Sequence, residues 1–95
     1  MSLAEQLGNI GSEFARFAAG QQHSERQRNS PAAARCLELI DLTVADPRWQ
    51  QGGRWRELTR LREVCFDVFT NGQRYAVSVE SLQEYFLPFA IAARR

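Results

Sequence analysis

Residues 36–44, CLELIDLTV, decide the fold. Upstream, Ser30 and Pro31 form a cap and first-turn pair, and downstream Asp46-Pro47 stops the helix they open. At the helical period, Cys36, Leu37, Leu39, Ile40, Thr43 and Val44, joined by Ala32 and Ala33, cover an arc of roughly 160°. One neighbour does not need an arc that wide, so this helix is expected to lie between two others. Glu38 and Asp41 mark its outer side.

Working outward toward the N-terminus, Leu3, Leu7, Ile10, Phe14 and Phe17 repeat at spacings of 4, 3, 4 and 3, an amphipathic seam. Ser2 and Glu5 form an S-x-x-E capping box before it. Beside the seam runs a strip of small residues, Ala4, Gly8, Gly11 and Ala15. Helix-interior glycines cost about 1 kcal/mol each against alanine, which close approach of another helix would offset. Gly20 reads as the residue that ends this helix. The stretch 20–30, GQQHSERQRNS, has no apolar side chain and reads as a solvated connection with a helical turn near 24–28.

Toward the C-terminus, Gly52-Gly53 frees the chain to turn, and Trp49 is expected to fold back over the bundle end. A third helix over 54–70 carries a core stripe of Leu58, Leu61, Cys65, Val68 and Phe69, with Trp55 and Phe66 together on one flank. Arg56, Arg60, Glu63 and Asp67 alternate in sign on its other side, as on a solvated face. Asn71-Gly72 closes it, and 73–77 reads as a short extended connection. A fourth helix begins at Ser78 or at Ser81, the latter making a second capping box with Glu84. Val79, Leu82, Phe86, Phe89, Ala90 and Ala93 face its core, flanked by Tyr85, and Pro88 interrupts its hydrogen bonding. Leu87 and Ile91 lie on the opposite side among charged residues.

These elements define an all-α fold: an antiparallel four-helix bundle or paired helical hairpins, with helices at about 3–19, 31–45, 54–70 and 79–94. The second and fourth are expected to be the most buried. The 95 residues suit a single helical domain, 1–95, that buries somewhat over 60% of its unfolded surface.

From Leu37 onward, the stretches LELIDLTVADPRW, RELTRLREVCFDVF and SLQEYFLPFAIAARR resemble a family of small, uncharacterised prokaryotic helical proteins. The resemblance covers about two thirds of the chain and implies an all-helical cytoplasmic domain, with no activity attached. It departs at Asn29-Ser30-Pro31, where an uninterrupted helical lead would be expected.

Composition narrows the function classes. The chain is 44% hydrophobic and 24% charged, ordinary for a globular protein. No apolar run approaches the roughly 20 residues of a membrane span, and Met1-Ser2-Leu3 opens no signal peptide, so a cytoplasmic location and no membrane partner are expected. Twelve arginines and no lysine balance eleven acids to a net charge of +1, which argues against nucleic acid as a partner. Weak binding through Arg54, Arg56, Arg60, Arg94 and Arg95 would show steep salt dependence. Cys36 and Cys65 fall at separate core positions and read as buried reduced thiols. One histidine, two core thiols and outward-facing acids provide no metal-ligand set, and no nucleotide-binding or nucleophile motif is present. No catalytic residue, cofactor or metal is therefore assigned.

Arg16 and His23, six residues between them, match the loose R-x4-6-H spacing of HEPN domains, helical bundles that include RNA-cleaving toxins. The resemblance implies a component of a toxin–antitoxin or RNA-processing system, with Arg and His meeting across a dimer groove to handle a proton and a phosphate. The pair departs from the motif in being followed by Phe17, in lying early in the chain and in being split by Gly20. A surface arginine and a loop histidine are the preferred reading. The leading expectation is a non-catalytic protein-interaction domain, a homodimer or a partner of another protein. Its interface candidates are Leu87 and Ile91, buried across a twofold axis, together with Gly8, Gly11, Trp55 and Phe66.

Overall fold

The computed structural model describes residues 1–21, 30–70 and 74–93. Four helices follow in order: α1 (Leu3–Gln21), α2 (Pro31–Val44), α3 (Gly52–Phe69) and α4 (Val79–Ala93), with a 3-10 turn at Pro47–Trp49. No strand occurs among the described residues. The expected turn at 24–28 lies outside them, as do Asn71, Gly72, Gln73 and the two terminal arginines.

Local chemistry starts each helix where the side chains can satisfy the first free amides. The backbone amide of Ser2 donates to Glu5 Oε1 at 2.9 Å, and that of Glu5 donates to Ser2 Oγ at 3.1 Å, a complete capping box. Ser30 Oγ accepts from the Ala33 amide, ahead of Pro31. For α4 the cap is Ser78, whose Oγ accepts from the Ser81 amide at 3.1 Å; the Ser81–Glu84 box is not used. Two boundaries differ from the sequence reading. α1 continues through Gly20 to Gln21, because one glycine near a helix end costs only about 1 kcal/mol. α3 starts two residues early, at Gly52, whose φ of +69° suits a residue without Cβ and brings the chain into the helix with no side-chain cap on Gln51.

The helices alternate in direction. α1 meets α2 with Gln6 beside Asp46 and Ile10 beside Cys36. α2 meets α3 with Asp41 beside Arg62 and Cys36 beside Cys65. α3 meets the last part of the chain with Glu63 beside Tyr75 and Glu57 beside Tyr85. In each pairing one number rises as the other falls, so the bundle runs up, down, up, down, and α4 returns alongside α1.

The expected placement of α2 between two helices holds: it packs against α1 and α3. The expectation that α2 and α4 are the most buried does not. α1 packs against both α2 and α4 and buries Leu7, Gly8, Ile10, Gly11, Phe14, Phe17 and Ala18. α4 fully buries only Leu82 and Phe86 among its described side chains. Its apolar residues are spread around the helix, and only one side meets the bundle. Phe14 and Phe17 of α1, Phe69 of α3 and Phe86 of α4 form the aromatic centre, with Phe17 and Phe69 edge-on at 4.6 Å between centroids and Phe14 and Phe86 at 5.6 Å.

Trp49 does fold back on the bundle end. Its Nε1 donates to Gln6 Oε1 at 2.7 Å, and Gln6 Nε2 donates in turn to Asp46 Oδ2. The Asp46 carboxylate also caps the 3-10 turn through the Arg48 amide and pairs with the Arg48 guanidinium at 2.7 Å. A ring of polar groups thereby fastens the start of α1 to the end of α2.

Candidate interaction surface

Leu87 and Ile91 stand one turn apart on α4, 57% and 47% exposed. Pro88 and Ala92 adjoin them, and all four line one shallow depression. On its α1 side the strip borders a groove of about 240 Å³ lined by Gly11, Ser12, Ala15, Gln83, Phe86, Leu87, Ala90 and Ile91. The groove has a local cause. Gly11 lies so close to Phe86 that a Cβ built on it would stand 2.7 Å from Phe86 Cβ. Gly11 thus lets α4 settle onto α1, as its place in the glycine strip led one to expect. The hydroxyl of Ser12 turns back to donate to the Gly8 carbonyl at 3.1 Å, which leaves the groove floor largely apolar.

Gly8 and Gly11 must accordingly be taken off the free surface: both are buried inside the chain. Trp55 and Phe66 remain on it, 42% and 49% exposed. Eleven residues apart, they share one side of α3 with Thr59 and Arg62. The Arg62 guanidinium lies 5.8 Å from the Phe66 ring and donates from Nε to Asp41 at 2.8 Å, which sets this strip on the α2 edge of the bundle. The pairing raises the Arg62 pKa through its hydrogen bond to Asp41. The α4 strip borders α1, and the α3 strip borders α2.

Between α3 and α4 the helices stand further apart, and two tyrosines span the gap. Tyr85 Oη donates to Glu57 Oε1 at 2.7 Å, and Tyr75 Oη to Glu63 Oε2 at 2.6 Å. Burial and the bond to Glu57 push the Tyr85 pKa well above the phenolic range; the bond to Glu63 raises that of Tyr75. Asp67 accepts from the backbone amides of Arg74 and Tyr75. Three acids of α3 are thus held by hydroxyls and amides. The guanidinium of Arg60 rests 4.3 Å from the Tyr75 ring centre.

Sequence reasoning passed over two features. Leu42, 60% exposed, projects from the outer side of α2 as a lone apolar residue, legible from its position 200° around from Ile40. The tyrosine–glutamate bridges join residues far apart in sequence, and no local pattern announces them. Cys36 and Cys65 are both free and fully buried, and they meet across α2 and α3 rather than standing apart.

Arg16 is exposed and pairs with Glu13 on its own helix at 3.3 Å; His23 lies outside the described residues. Among the described residues no group of three or more His, Cys, Asp or Glu gathers to hold a metal ion, and no helix is long and apolar enough to cross a membrane. No family model, no curated protein and no solved structure matches the chain.

Proposed function

We propose that the chain is a non-catalytic, self-associating interaction domain whose α4 face is covered by a second copy, a homodimer being the smallest such species. The observation that carries this reading is the contiguous apolar strip of Leu87, Pro88, Ile91 and Ala92 beside an apolar groove. Scattered exposed leucines need no explanation, whereas contiguous patches on small proteins mark contact surfaces. The strip lies outside the buried core, since α4 meets α1 most closely through Phe86 against Gly11 and leaves about half of Leu87 and Ile91 open. The proposed compartment is the cytoplasm, supported by a pair of buried cysteines that are free rather than bonded.

Sedimentation of the wild type against Leu87→Glu/Ile91→Glu tests the proposal. The wild type should associate in the micromolar range, and the variant should be monomeric with its helical circular dichroism intact. A wild type that stays monomeric at high concentration ends the reading.

A further inference from the structure

We propose that α4 is an exchangeable helix: it swings out about Ala76 and seats on α1 of a second copy, which returns its own α4 in the same way. This rests on the self-association proposed above and deepens it, since the second copy then supplies part of the core. A strained pivot, a clamp on each side of it and a self-contained seat carry the inference.

Ala76 has a φ of +53°, a left-handed conformation in which its Cβ crowds the following carbonyl. Its neighbours on both sides are fixed. Before it, the backbone amides of Arg74 and Tyr75 donate to the Asp67 carboxylate at 3.3 and 3.4 Å, and Tyr75 Oη donates to Glu63 at 2.6 Å, which ties this stretch to α3. After it, Ser78 Oγ accepts from the Ser81 amide at 3.1 Å and the Ser78 carbonyl accepts from the Leu82 amide, so α4 is stiff from its first turn. Only Ala76 and Val77 lie between the two clamps. A return of Ala76 to negative φ therefore moves α4 as a rigid body, with both clamps still made and the strain gone.

The seat is α1. The helix to which α4 is tethered, α3, touches it mainly through the Tyr85–Glu57 hydrogen bond, whereas α1 carries its most extensive contact. Phe86 packs against Gly11 and stands 5.6 Å from Phe14 between ring centroids. A helix tethered to one neighbour and packed on another can change copies without changing a contact. The Phe86–Gly11, Phe86–Phe14 and Tyr85–Glu57 contacts all re-form between copies, and each Ala76 relaxes. Exchange of an identical element is a low-cost route to a dimer, short strained connections invite it, and it closes at two copies.

The test uses the full chain carrying Ala15→Cys/Ala90→Cys, two residues that line the α1–α4 groove, treated with a short bis-maleimide. The native thiols are fully buried and stay out of the reaction. Size exclusion over a hundredfold concentration range should resolve monomer and dimer that interconvert slowly, because α4 must leave its seat. The linker should give covalent dimers on a denaturing gel from the dimer fraction and only single chains from the monomer fraction. Ala76→Gly, which adopts positive φ without crowding, should weaken dimerisation on the order of tenfold, and Ala76→Val should strengthen it. A dimer fraction that yields only linked single chains, or an Ala76→Gly protein that dimerises as tightly as wild type, overturns the exchange while leaving self-association standing. A wild type that stays monomeric throughout overturns both.

Discussion

Gly11 shows how one missing methyl group sets the distance between two helices. Alanine there gains helix propensity worth about 1 kcal/mol, but its Cβ would stand 2.7 Å from Phe86 Cβ, and that rigid neighbour must be displaced. Overpacking of this kind costs about 1–3 kcal/mol, so Gly11→Ala should lower stability in urea denaturation. Gly20→Ala, where a Cβ meets nothing within 4 Å, should be neutral or stabilising by up to about 1 kcal/mol. The need for a small residue at Gly11 was legible in the helical spacing of the glycine strip. Whether the approaching helix belonged to the same chain or to another was not, because spacing names a face and never its occupant. The two thiols make a related case. Hydrogen bonding with Cys65 and burial push the Cys36 pKa up, and both sulfurs are fully shielded. Neither should react with iodoacetamide in the folded protein, and both should react on unfolding, as mass spectrometry can count.

At the level of single elements, the caps translate sequence into boundaries and into acid sensitivity. Asp46 and Glu5 accept hydrogen bonds in their charged forms, from Arg48 and from Ser2 respectively, and both pKa values are lowered by folding. A carboxylate with a depressed folded pKa adds stability at neutral pH that is lost as pH falls through the ordinary range near 4 toward the lowered value. Unfolding midpoints measured from pH 7 down to pH 2 should therefore decline below about pH 4, and Asp46→Asn should flatten that decline while lowering the midpoint at pH 7. Where a cap was written into neighbouring residues, as in Ser2-x-x-Glu5 or Ser30-Pro31, the sequence located the helix start. At Gly52 it did not. The chain enters α3 by a backbone conformation, φ +69°, that no capping side chain marks.

Across the whole molecule, the tightest seams are those of α1 with α4 and with α2, and the loosest is between α3 and α4, bridged by tyrosine hydroxyls. Native-state hydrogen exchange should accordingly protect the amides of α1 most, around Ile10 and Phe14, and show the C-terminal half of α4 opening at lower free energy. Tyr85→Phe, which leaves the Glu57 carboxylate without its hydroxyl, should cost about 1 kcal/mol and widen that difference. The bundle and most of its core were readable from periodicity, since each helix carries its own apolar stripe. The ranking of the helices was not. Two stripes on α4 promised two close neighbours, but only one stripe, with Leu82 and Phe86, is buried against the bundle.

The tryptophans stand in contrasting surroundings: Trp49 is held by Gln6 beneath the Arg48 side chain, 4.7 Å from its guanidinium, and Trp55 is half open to water on the outer side of α3. The protein therefore carries two natural fluorophores with separate duties. Emission from the indole at position 49 follows the integrity of the bundle end during unfolding. Emission from position 55 reports how far the outer face of α3 is open to water, so Trp49→Phe and Trp55→Phe versions would let the bundle end and that face be followed optically, each without a dye.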